Sequence, residues 1–212
     1  MTVHLPLFPL GLVAFPGEKV NLHIFEPRYK QLITECFEED KTFGIVPYQE
    51  GEDMQIGTEM NLIEISHIYD DGKMDIKTQG VRVFRIESFQ TKMDDKLYPG
   101  GMVHFDVPVS TRPSILEVQE VISLLEKMYD ILGLELPFQG WDESYSLYEI
   151  GHKLGFSLSE EIHFLGLASE ADRFEYTKAH LKKMIPVVEK MESIKKRVKM
   201  NGHFKNIMPP NL

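Results

Sequence analysis

Apolar positions alternate in short bursts through the first half of the chain and recur every third or fourth residue through the second. Bursts at Val3–Phe8, Gly11–Phe15 and Val20–Ile24 predict three short strands, because Pro6, Pro9 and Pro16 bar a helix and keep strands off central sheet positions. Pro27 then suits the first position of a helix whose apolar face is Tyr29, Leu32, Ile33, Cys36 and Phe37, with Glu26 placed to cap it. Phe43–Tyr48 is a short apolar run of this β-rich half broken by Pro47, Ile56–Tyr69 reads as a strand with a bulge or bend, and the acidic Gln49–Asp53 between them as a loop. Asp70-Asp71-Gly72 predicts a hairpin turn, since these residues tolerate positive φ. Met74 and Ile76 pair back, Val81–Phe89 makes a long strand, and Asp94-Asp95 turns it towards Met102–Val107, which Pro108 and Thr111-Arg112-Pro113 end. Leu7, Phe8, Leu10 and Phe15 are assigned to the core.

Helical signals follow. Ser114-x-x-Glu117 is a capping box ahead of Ile115, Val118, Ile122, Leu125, Met128 and Leu132, and Gly133 closes that helix. Leu134–Gly140 is a linker, Tyr145–Leu154 a short helix stopped by Gly155, and Ser157-x-x-Glu160 opens another that runs to about Ala168. The last helix begins near Ala171 or Asp172 and extends towards Met200, with Leu181, Met184, Val188, Met191, Ile194 and Val198 on one stripe. Pro186 kinks or splits it. The expected class is α+β, with a β-rich unit over residues 1–110 and a helical bundle over 111–212.

Composition narrows the function. The chain has 212 residues and a net charge of −10, so its long-range field repels a nucleic-acid backbone. Lys178–Lys205 is the exception, with nine Lys/Arg against two Glu, which reads first as a solvated helix face. Cys36 is the single cysteine and lies on an apolar face, so neither a disulfide nor a Cys-rich zinc site is expected. The prolines and the lack of an early basic residue argue against a signal peptide, and no apolar run reaches membrane-spanning length. A cytoplasmic location is expected. Glu160 and His163 share a helix face but read as a capping glutamate beside an ordinary histidine, and no metal or cofactor is expected. Gly72-Lys73 cannot open a phosphate loop, because Met74 replaces the required Ser or Thr and His67 the first Gly. No nucleophile elbow is present.

The run LPLFPL, then FPGE, then L-x-I-F-E-P-R-Y resembles the opening of the Lon amino-terminal domain, and it places Pro9, Phe15, Pro16, Glu18, Phe25, Glu26, Pro27, Arg28 and Tyr29 in that pattern. Ile56-Gly57-Thr58 and Gly80-Val81-Arg82 resemble its later strands. The resemblance implies a PUA-like barrel followed by helices, and a free-standing form of a region that recognises protein substrates. No counterpart of the Lon ATPase or Ser–Lys protease lies in these residues. The motif residues read mainly as structural: Glu26 caps the helix and Arg28 locks helix to sheet through a carboxylate. The rival reading has a cation among Arg28, Arg82 and Arg85 hold a peptide carboxylate or a backbone carbonyl. Val188, Met191, Ile194 and Val198 are the candidate contacts for a protein partner or for self-association. The function expected is non-catalytic binding of unfolded or specific protein partners, as an adaptor in protein quality control. The alternatives are an RNA-binding PUA-like module, or an enzyme with a site between barrel and bundle.

Overall fold

The computed structural model describes residues 2–49, 51, 54–107, 109–138 and 145–203, with side chains through residue 198. Residues 50, 52, 53, 108, 139, 140 and the Pro209-Pro210 tail, on which parts of the loop, linker and terminus readings fall, lie outside that description. Among the described residues, six strands and five helices follow in order: β1 Thr2–Leu10, β2 Lys19–Ile24, α1 Pro27–Glu39, β3 Phe43–Pro47, β4 Ile56–Ile68, β5 Met74–Gln90, β6 Gly100–Phe105, α2 Ile115–Leu132, a 3-10 helix Leu147–Lys153, α3 Leu158–Leu165 and α4 Glu170–His203. The class is α+β.

The sheet order β2-β5-β4-β3-β1-β6, with β6 also pairing β5, closes five strands into a barrel and leaves β2 on the outside. Long strands make this closure work. β5 pairs β2 through Lys77–Gln79 and neighbouring residues, then β6 through Phe84–Gln90, and β4 carries three register shifts that bend it. β1 also changes partners, running antiparallel to β6 over Thr2–Pro6 and parallel to β3 over Leu7–Leu10. This is how a central strand accommodates Pro6 and Pro9: each lies where one flank only is paired, so no ladder on the other side misses its N–H. The second predicted strand, Gly11–Phe15, is absent. Val13, Ala14 and Phe15 are buried consecutively without alternation, and the Ala14 carbonyl accepts the Thr58 hydroxyl (2.5 Å) rather than a ladder N–H. Met74–Ile76 and Val81–Phe89 join in one strand with Gly80 inside it.

Two clusters of buried side chains lie among the described strands and α1. Leu5, Leu7, Val46, Phe84 and Val103 form one, and the face of α1 carrying Tyr29, Leu32, Ile33 and Cys36 packs on Phe8, Phe43, Ile45, Met60 and Ile76 in the other. Phe37, assigned to that face, is exposed instead. Glu26 occupies the N-cap position but makes no side-chain cap; its carboxylate takes Arg28, two residues on, so neither the cap nor the helix-to-sheet lock forms.

The chain groups into two compact units, Met1–Ser110 with Ser144–Ser169, and Thr111–Glu143 with Glu170–Leu212. Segment 144–169 therefore belongs with the strands by packing, although it is helical and flanked by helices in sequence. In the second unit α2 and α4 run parallel, with Glu120 meeting Lys178 and Lys182, and Lys127 meeting Glu189. Their contact buries Val121, Leu125, Met128 and Tyr129 of α2, a face displaced from the expected one, since Ile115 and Leu132 are exposed. On α4, Leu181 and Ile185 are buried. α4 is unbroken through Pro186, which rules out the split.

Candidate functional site

The motif Phe15-Pro16-Gly17-Glu18 is a clasp. Pro16 and Gly17 (φ 83°) supply the two central positions of a type II turn closed by the Glu18 N–H donating to the Phe15 carbonyl at 3.1 Å. The turn pairs with β5 on both sides of Gly80: Gly17 N–H donates to the Gly80 carbonyl and Gly80 N–H to the Glu18 carbonyl, each 2.9 Å. A Cβ at residue 80 would run into the Phe15 carbonyl oxygen, so only glycine permits this approach. The Glu18 carboxylate accepts the Phe15 N–H at 2.9 Å.

Held this way, the Phe15 ring receives segment 144–169. It stacks on Tyr148 (centroids 5.4 Å), meets Phe164 edge-on (5.8 Å) and lies 4.8 Å from His152. The Tyr148 hydroxyl donates to the Leu165 carbonyl at 2.8 Å. His152 places Nε2 3.2 Å from Glu18 and Nδ1 2.7 Å from Glu161. Both ring nitrogens face carboxylates, so both are donors and the imidazolium is favoured. The hydrogen bond to Glu18, then that to Glu161, raises its pKa to about 9 against desolvation. That folded value lies above the ordinary 6.5, so the charged ring stabilises the fold fully below about pH 6.5 and loses this contribution as pH rises through about 9. The melting-temperature gap between the native protein and His152→Gln is therefore widest at pH 6 and closes above pH 9; a gap independent of pH would remove His152 from this role.

Docking of this segment creates a cleft of about 480 Å³ inside the first unit. β3 and β4 pair only from Phe43↔Met60 to Ile45↔Thr58 and then diverge. Pro47 and Gln49 form one wall, Gln55 and Ile56 the next, and Ile162, His163, Gly166 and Leu167 of the docked segment the third. Arg85 also lines it. Its Nε donates to Asp106 (3.0 Å to Oδ2) and its Nη2 to the Gly166 carbonyl at the end of α3 (2.8 Å). Both Nη1 hydrogens and the second on Nη2 have no partner among the described residues.

The remaining sequence candidates are scattered. Arg82 binds buried Glu59 at 2.6 Å and covers the Phe105 ring at 3.5 Å, which makes it a strut of the barrel wall. Tyr29 stacks on Phe8 in the core, Pro9 lies in β1, and Phe25 is exposed beside His23. Val188 is half-buried, whereas Met191, Ile194 and Val198 are 64%, 50% and 64% exposed. Glu160 serves as the capping-box residue of α3, and His163 faces the cleft. Sequence reading named Arg85 but missed Gln49, Gln55, Tyr148, His152 and Phe164. Ser146-x-x-Glu149 is a capping box that would have marked the 3-10 helix.

A barrel with one helix-covered face and a helical segment docked beside a cleft defines the class of the first unit as α+β. Residues 4–183 match the ATP-dependent protease La (LON) substrate-binding domain family, and the chain belongs to that family. It is similar in fold to the Lon N-terminal domain protein from Xanthomonas campestris, with a TM-score of 0.66, 24% identity and coverage of 84% of this chain and 98% of that one. It is similar also to the N-terminal domain of a Mycobacterium avium complex Lon protease, with a TM-score of 0.56, 9% identity and coverage of 85% and 98%. A LON peptidase N-terminal domain and RING finger protein of Schizosaccharomyces pombe is 28% identical over 130 residues. The match covers 51% of this chain and about a quarter (26%) of that relative.

Proposed function

We propose that this chain is a non-catalytic module that binds unfolded or specific protein segments, and that it serves as a cytoplasmic adaptor in protein quality control. The cleft carries the reading: it joins apolar walls (Pro47, Ile56, Ile162, Leu167) to the unpartnered N–H groups of Arg85, the mixture a polypeptide segment needs. Family membership supports substrate recognition over other uses of the fold. Two observations speak for the non-catalytic part. Burial pushes the Cys36 thiol up to about 12, and Gly72-Lys73 lies in the hairpin between β4 and β5 with Lys73 paired to Asp71.

Fluorescence anisotropy with labelled, reduced and carboxymethylated casein is expected to show saturable binding. The casein should remain intact on a gel with or without Mg-ATP. Cleavage that a point substitution in this chain abolishes would overturn the reading.

The exposed end of α4 is the second contact surface we propose, for a partner protein or another copy. Met191→Asp with Ile194→Asp is expected to abolish association in sedimentation or pull-down while changing the melting temperature by only about 1 °C, as exposed substitutions do. A large fall in melting temperature would place that stripe in a core instead.

A further inference from the structure

The charges around Arg85 decide what it can hold. Two negative features already face the guanidinium. Asp106 takes Nε through both carboxylate oxygens, at 3.0 and 3.4 Å, and the carbonyl end of α3 takes Nη2 through Gly166. A helix C-terminus carries partial negative charge, which adds to the full charge of Asp106. The remaining Nη hydrogens are therefore good donors on a site whose net charge is neutral or slightly negative. An incoming carboxylate would gain hydrogen bonds from Arg85 and meet repulsion from Asp106. A main-chain or side-chain amide carbonyl gains the bonds without the repulsion. Of the other polar lining, Gln49 and Gln55 offer amides, which donate to and accept from a peptide group, and His163 adds an imidazole that can do either.

We propose that Arg85 binds a neutral carbonyl of a protein segment lying in this cleft, and that Asp106 is the specificity-determining residue that makes the site reject carboxylates. This rests on the cleft being the binding site proposed above. Asp106 acts through Arg85: it fixes the guanidinium plane and cancels its charge. Selectivity against acidic segments then comes from a residue of this chain rather than from the overall charge of −10.

The test uses the whole chain and one leucine-rich peptide with capped ends, in which each position is replaced in turn by Gln or by Glu. At the position that meets Arg85, the Glu peptide is expected to bind about tenfold more weakly than the Gln peptide. Asp106→Asn keeps an oxygen for Nε and removes the charge, so it is expected to erase that gap or reverse it. Raised salt weakens an overall charge effect at every position but spares a local one, so the gap at that single position is expected to persist at 0.5 M salt. Arg85→Lys is the second variant; it retains the charge, loses the planar fork, and should weaken the Gln peptide. Equal Gln and Glu binding at every position by the native chain, or a gap unchanged by Asp106→Asn, would overturn this inference and leave the peptide-binding reading standing. No binding of any peptide in the series would overturn both.

Discussion

Gly80→Ala is expected to lower the melting temperature by about 10 °C. The added Cβ meets the Phe15 carbonyl and the Pro16 backbone, neither of which is the movable end of a side chain. Relief requires the turn to lift off β5, which breaks the paired bonds Gly17 N–H to Gly80 O and Gly80 N–H to Glu18 O. Overpacking against backbone and the loss of two hydrogen bonds together come to roughly 3–5 kcal/mol, and each kcal/mol moves a chain of this size by roughly 2–4 °C. Differential scanning fluorimetry measures it directly. A fall of less than about 2 °C would mean that the turn is not clamped by β5.

Phe15→Ala is expected to cost about as much, roughly 3–5 kcal/mol, but with a different distribution. The ring is fully buried and contacts Tyr148, His152 and Phe164, all from the docked segment. Its removal leaves the barrel ladders intact and empties the joint between barrel and segment. Hydrogen exchange should therefore accelerate strongly across residues 147–165 and little across β4 or the Phe84–Gln90 part of β5. Peptide binding should fall with it, because α3 supplies a wall of the cleft. Uniform acceleration through the barrel would instead make Phe15 a global core residue.

What the sequence revealed depends on how far each signal reaches. The start of α2 and that of α3 were legible because Ser114, Glu117, Ser157 and Glu160 act within one turn of the helix they open. Turns at Gly72 and Asp95 were legible for the same reason, the φ of each being positive. Glu26 shows the limit of such local rules, since Arg28 outcompetes the helix N–H groups for its carboxylate. The partner change in β1 was invisible, because which neighbour flanks Pro6 or Pro9 is decided some forty to a hundred residues away. The cleft was only half legible. Arg85 stood out as a cation on a strand, yet its wall from residues 162–167 follows from an aromatic contact between Phe15 and Phe164 that no periodicity encodes.

The path of β1 also sets an order of events in time. Its first residues, Thr2–Pro6, find their partners only when Gly100–His104 exist, and Phe15 finds its cover only with Tyr148 and Phe164. Contacts at such separations close slowly, since each must offset the entropy of a long loop. During synthesis the barrel can close once β6 has left the ribosome, but a buried phenylalanine of the finished protein stays uncovered until some sixty further residues have followed. That interval is when aggregation competes most directly with folding.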